Sequence, residues 1–299
     1  MMKVHITRLN NMPMWMDFAE KRLKEKNQKK KRLEIINEAG GCPVKHPGII
    51  RLSYLNPKTM AGYSLWWNGG SLASFWKNMD NKVSEVLEIE DIVKQHDSEL
   101  SKAQLEWVAT YRKNRVALAL SLFVIVWKCH NENYMHNDLS PSNVLLHFDP
   151  WKKNTVYIGI CDWGISSRVV EKEPSKYGYD SMEKLAKVKQ VKKFVAPELF
   201  CVYGSISSEN SLEVMQRRHL YSVAADIYSS GWIAQKIWSV EWDSQYFVKE
   251  KCMNYALLKT HLQSLQKEDV NDRATIGDVL ETLRKPPYGW LMPECCYRR

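Results

Sequence analysis

Long apolar runs are missing from this sequence. No stretch reaches the roughly 18 uncharged apolar residues that a membrane span needs. The most apolar run, Val116 to Trp127, is broken by Ser121 and reads as a buried core helix. The N-terminus has no apolar core of the kind a secretory signal carries. Cysteine is sparse and poorly placed. The seven thiols include no C-x-x-C pair and their number is odd. That argues against a zinc site or a disulfide framework and fits a reducing compartment, the cytosol or the nucleus. Glycine is also scarce at 13 residues, and nowhere does it take the G-x-G-x-x-G spacing that covers phosphates.

What remains is ordinary for a soluble domain. Hydrophobic residues make up 44% and charged residues 26%, which excludes a wholly disordered chain. The net charge of +9 is concentrated in Lys21 to Arg32 (KRLKEKNQKKKR). Such a run can be a nuclear import signal or a polyanion-binding patch, but Glu20, Glu25 and Glu34 interrupt or flank it at helical spacings, which favours a solvated helix face.

Met2 to Leu9 alternates apolar and polar residues as a half-buried strand does. Trp15 to Ala39 reads as a helix ended by Gly40-Gly41. Ile49 to Leu55 and Ala61 to Trp67 read as strands either side of a turn at Asn56-Pro57. Beyond Asn68-Gly69-Gly70 the pattern turns mainly helical. Helices are expected from Ser71, over Leu105 to Asn131, Tyr221 to Val240, Tyr255 to Gln266 and Ile276 to Leu283. Asn78 to Ser101 and Glu171 to Lys193 are charged and read as surface segments. Short strands fall within Tyr134 to His147 and Thr155 to Cys161, around a Lys-rich loop.

The densest chemical signal is His136-Asn137-Asp138-Leu139-Ser140-Pro141-Ser142-Asn143. Phosphoryl transfer needs an acceptor for a hydroxyl proton and oxygen ligands for Mg²⁺. Asp138 and Asn143 stand at the spacing of the H-R-D-x-x-x-x-N catalytic loop of protein kinases, which this segment resembles. Asp162-Trp163-Gly164, after the apolar Val156 to Cys161, resembles D-F-G, and Ala196-Pro197-Glu198 matches A-P-E. Asp226 to Gly231 resembles the D-x-x-S-x-G start of the kinase central helix, and Arg273 the late Arg that pairs with the A-P-E Glu. Asn68 to Leu72 resembles the N-G-G-S-L that follows the kinase hinge.

The resemblance implies a two-lobed α+β fold. Residues 1–67 would form a short β-rich N-lobe with one helix, 68–285 a helical C-lobe and 286–299 a tail. It implies ATP and Mg²⁺ as cofactors and a protein substrate, with Ser/Thr the family default. Asp138 would be the base, and Asn143 and Asp162 would hold the metal. The backbone of Leu65, Trp66 and Trp67 would contact adenine, or the two tryptophans would pack in the core. His136, Trp163, Gly164, Glu198, Asp226 and Arg273 would be structural, with Glu198 and Arg273 an ion pair and Asp226 anchoring the catalytic loop through its amides. Cys161 reads as a buried inert thiol.

The N-terminal unit departs from the family. With Val4 to Arg8 in the place of V-A-I-K, the phosphate-binding Lys slot falls on Thr7, beside Arg8, and the Lys reads as missing. Glu34 would be the helix Glu of that site, with Glu38 the alternative. Asn137 replaces the H-R-D Arg, which usually binds a phosphorylated activation loop, and Ser140 replaces a Lys typical of Ser/Thr kinases. Two rivals follow: a pseudokinase acting as a binding module, and a phosphotransferase like the aminoglycoside and choline kinases, which also place an Asp-Trp pair after H-x-D-x-x-x-x-N. A third expectation is that upstream coding sequence carries the missing strands.

Overall fold

The computed structural model describes residues 3–7, 18–22, 36, 38, 42–56, 58, 61–80, 102–164, 166–168, 193–197, 223–238 and 259–284. Strands β1 (Lys3–Thr7), β2 (Phe18–Arg22), β3 (Tyr54–Asn56) and β4 (Ala61–Leu65) form one antiparallel sheet in the order β1-β2-β4-β3. Strand β2 is its second strand, pairing Lys21 with Val4 on one side and with Gly62 on the other.

That strand corrects the helix expected over Trp15 to Ala39. Phe18 to Arg22 is extended, whereas Ile36 and Glu38 are helical. Lys and Glu recur every three or four residues there and imitate a helix. Pairing on both edges overrides that local preference. Strand Ile49 to Leu55 is also shorter than expected: only Tyr54–Asn56 pairs within the sheet, while Ile49 makes an isolated parallel bridge to Ile160.

The helical part is built on α1 (Leu72–Asp80), α2 (Lys102–Asn131), α3 (Val223–Trp238) and α4 (Ile276–Arg284), with a further helical turn over 259–264. Helix α2 packs on α3, on α4 and on a small sheet below them. Its second half is apolar on most sides because it is surrounded; Leu118, Leu122, Phe123 and Ile125 are fully buried. Burying each such side chain contributes roughly 1.5–3 kcal/mol.

The small sheet joins β5 (Gly70–Ser71), β7 (Val144–Phe148) and β8 (Val156–Ile160). A separate two-stranded ribbon pairs β6 (Tyr134–Met135) with β9 (Ser167–Arg168). Strand β8 is buried at every position except Tyr157, which accounts for its nearly continuous apolar run. Gly159 is favoured on packing grounds: a Cβ there would lie 2.6 Å from the Trp67 ring and 2.8 Å from Ile50 Cδ1, so those side chains would have to shift. No helix among the described residues is long and apolar enough to cross a membrane.

Candidate active site

The register of β7 and β8 assembles the site. Val144 sits opposite Ile160, and the amide of Cys161 donates to the Asn143 carbonyl at 2.9 Å. Asn143 is therefore held at the start of one strand while Asp162 follows the end of the other. A two-residue displacement of this pairing would separate them.

Asn143 is buried, and its amide nitrogen donates to both the Asp138 carbonyl (2.8 Å) and Asp138 Oδ2 (3.1 Å). This turns the Asn143 carbonyl oxygen away from Asp138. Asp162 has φ +65, a left-handed conformation that Asp tolerates at a cost of about 1–2 kcal/mol. Trp163 beside it is 1% exposed; its indole N–H donates to the Ile160 carbonyl and its ring meets the His136 imidazole edge-on at 4.6 Å. The larger ring of Trp thus fills the pocket and finds a partner for its one donor. Gly164 is buried just beyond it.

The catalytic-loop segment hangs on Asp226, at the start of α3. Asp226 accepts the amides of His136 (2.7 Å) and Asn137 (3.0 Å) and lies 3.4 Å from His130 Nε2. Burial pushes its carboxyl up. The His130 contact, the nearby His136 and the His136 amide outweigh that and hold it below the usual carboxylate range. The His136 ring spans to the Cys161 carbonyl at 2.9 Å. His130 and His136 therefore act as braces for the loop.

On the opposite wall lies Lys21. Its Nζ is 2.8 Å from Asp162 Oδ1 and forms a salt bridge at 2.5 Å with Glu38 Oε2. Burial of Lys21 favours its neutral form, but the Asp162 and Glu38 carboxylates outweigh this and raise its pKa well above the ordinary range. The cationic form is thus locked in. This corrects the assignment of the Lys slot to Thr7 and of a missing Lys. It also places Lys21 on a strand with its side chain only 15% exposed, not on a solvated helix face. The sequence signal was Phe18-Ala19-Glu20-Lys21, which keeps the Ala-x-Lys of V-A-I-K. Glu38, the alternative helix Glu, is the residue that meets Lys21; Glu34 lies outside the described residues.

The linker after β4 is pinned by Asn68. Its side chain donates to the Phe148 carbonyl and accepts the Phe148 amide, each at 2.8 Å, as a backbone unit would in a ladder. Gly69 donates to the Leu146 carbonyl, and Gly70, at φ +66, closes the turn back to Trp67. Leu65 is exposed, and Trp67 packs over Gly159 and edge-on to the His147 ring. Trp67 is thus a packing residue of the linker, and Trp66 is half-buried. Sequence reasoning missed the Asn68 clamp.

Arg273 is 7% exposed and donates to the carbonyls of Lys267 (3.0 Å) and Ala224 (2.7 Å), with its guanidinium over the Tyr228 ring. Its expected partner Glu198 lies outside the described residues; Ala196 before it is fully buried. The Cys161 thiol is pushed far up by burial and by the Asp162 charge, which makes it a poor nucleophile.

A family model for the protein kinase domain matches residues 10–271. This chain belongs to the protein kinase family, and the fold is the mixed α+β arrangement of a kinase domain. Comparison with curated proteins gave no match.

Protein kinases in general use ATP with Mg²⁺. The donor set here fits such an ion: Asp162 offers a carboxylate that is 46% exposed, and Asn143 an amide oxygen. Both are hard oxygen donors, and Mg²⁺ is commonly held by one or two such groups with substrate phosphates completing the shell. Among the described residues no cluster of three or more His, Cys, Asp or Glu gathers for a metal.

Proposed function

We propose that this chain transfers the γ-phosphoryl group of ATP to a Ser or Thr hydroxyl of a protein substrate. The observation that carries this reading is Lys21 bridging Glu38 and Asp162. A cation fixed by one buried carboxylate and facing a second, more exposed one is placed to receive phosphate oxygens. Asp138 accepts the hydroxyl proton of the substrate and orients it. Asn143 keeps Asp138 in place through its amide nitrogen, which leaves its amide oxygen free of that contact. That oxygen and the Asp162 carboxylate would hold the Mg²⁺ ion. The Mg²⁺ ion, when bound, screens the charge that develops on the transferred phosphoryl. The backbone of Leu65 to Trp67, fixed by Asn68, receives the adenine edge.

The pseudokinase reading keeps one support, the absence of G-x-G-x-x-G in the sequence. It loses the other, because a Lys–Glu pair exists. Transfer of labelled γ-phosphate to a generic protein acceptor with Mg²⁺ separates the two. Turnover abolished by Asp138→Asn supports the enzyme; ATP-induced thermal stabilisation with no turnover supports the binding module.

A further inference from the structure

Asn137 occupies the position where the related catalytic loops carry Arg, and that Arg reads a phosphate on the activation segment. Here the residue is neutral and bonded within the fold. Its Nδ2 donates to Ser167 Oγ at 2.9 Å. Ser167 is 5% exposed and lies on β9, five residues beyond Asp162. The strand pairing of Met135 with Ser167 brings the two side chains together. The Asn137 backbone, at φ +64, is itself fixed by Asp226. Next to this contact, Ser166 Oγ donates to the Trp163 carbonyl at 2.6 Å and lies 3.3 Å from the Tyr134 hydroxyl, whose hydrogen it can accept. Side-chain bonds thus tie the residue before Asp138 to the strand that follows Asp162-Trp163-Gly164.

We propose that the Asn137–Ser167 bond is a phosphate-independent latch that holds the start of the activation segment against the catalytic loop. This rests on the proposed phosphotransferase reading. An Arg at this point would carry a charge that only an added anion could satisfy, so assembly would wait on phosphorylation. The Asn amide needs a neutral acceptor, and the buried Ser167 hydroxyl supplies it from within the chain. Ser167 is also shielded from modification by its own burial. Asn137 and Ser167 are positioning residues: they touch neither ATP nor acceptor but set where Asp138 and Asp162 stand.

The test combines kinetics with hydrogen exchange on the full chain. Asn137→Ala and Ser167→Ala are each expected to lower kcat about tenfold, the size of one lost hydrogen bond, with the KM for ATP nearly unchanged. Ser167→Thr keeps the hydroxyl and suits a strand, so it should restore kcat. Phosphatase treatment of the wild type should leave turnover unchanged. Exchange of the amides of Tyr134 to Asn137 and Ser166 to Arg168 should quicken in both Ala variants and not in Ser167→Thr. The latch is overturned if both Ala variants keep wild-type kcat and exchange, or if phosphatase abolishes wild-type turnover. A wild type with no turnover would instead overturn the proposed function, and the exchange readout would still judge the latch.

Discussion

Lys21 Nζ and Asp162 Oδ1 lie 2.8 Å apart although 141 residues separate them in the chain. One is on a strand of the N-terminal sheet and the other follows β8, so this contact joins the two halves of the site. Glu38 completes it from the helical stretch that follows β2.

Removing the cation breaks the Lys21 salt bridge to Glu38, whose side chain is 6% exposed. Lys21→Ala should therefore lower the melting temperature as well as activity, because removing one partner of a buried ion pair commonly costs about 3–5 kcal/mol. Lys21→Ala with Glu38→Gln should recover most of the stability and none of the turnover. Differential scanning fluorimetry beside a transfer assay distinguishes the two effects.

Asp226 contributes to the acid limb of stability. Its folded pKa lies below its ordinary value of 3.8. Its contribution is therefore present above that value and is lost as pH falls through the folded pKa. Asp226→Ala should destabilise by about 2–5 kcal/mol, since it removes the acceptor of the buried His136 amide and of the part-buried Asn137 amide. Its stability should also depend less on pH below about 4 than that of the wild type. Chemical denaturation at pH 3 to 7 checks both.

Gly159→Ala should destabilise the domain by about 1–3 kcal/mol through overpacking against Trp67 and Ile50. Because Trp67 belongs to the linker after β4, the KM for ATP should rise more than kcat falls. Trp67→Phe in the Gly159→Ala background should relieve part of the stability loss, which urea denaturation would detect.

Cys161, beside Asp162, should resist alkylation. Its pKa is raised by burial and by the adjacent carboxylate, so little thiolate forms near neutral pH. Native protein treated with iodoacetamide at pH 7.5 and examined by mass spectrometry should carry no label on Cys161, whereas urea-unfolded protein should carry it.

The sequence made one wall of the site plain. Asp138, Asn143 and Asp162 stand at fixed spacings because a short loop and two paired strands set their distances, and such spacing survives as a pattern. Asp226 was legible for a similar reason: it opens an apolar helix whose periodicity is unmistakable. Lys21 was hidden. It begins a run of Lys and Glu at helical spacing, and the short Ala-x-Lys of Phe18 to Lys21 is the one local mark of a strand there. Its extended form depends on partners, Lys3–Thr7 and Ala61–Leu65, that only the folded sheet supplies. The Asn68 clamp was equally unreadable, because its partner Phe148 is 80 residues away.

Phosphate transfer from ATP with Mg²⁺, measured for wild type and Lys21→Met in parallel, tests the central claim most directly. The variant should retain the fold by circular dichroism and lose about 100- to 1,000-fold in kcat, the usual scale for removing a group that stabilises developing charge. Folded Lys21→Met protein with wild-type kcat and KM for ATP would contradict the account.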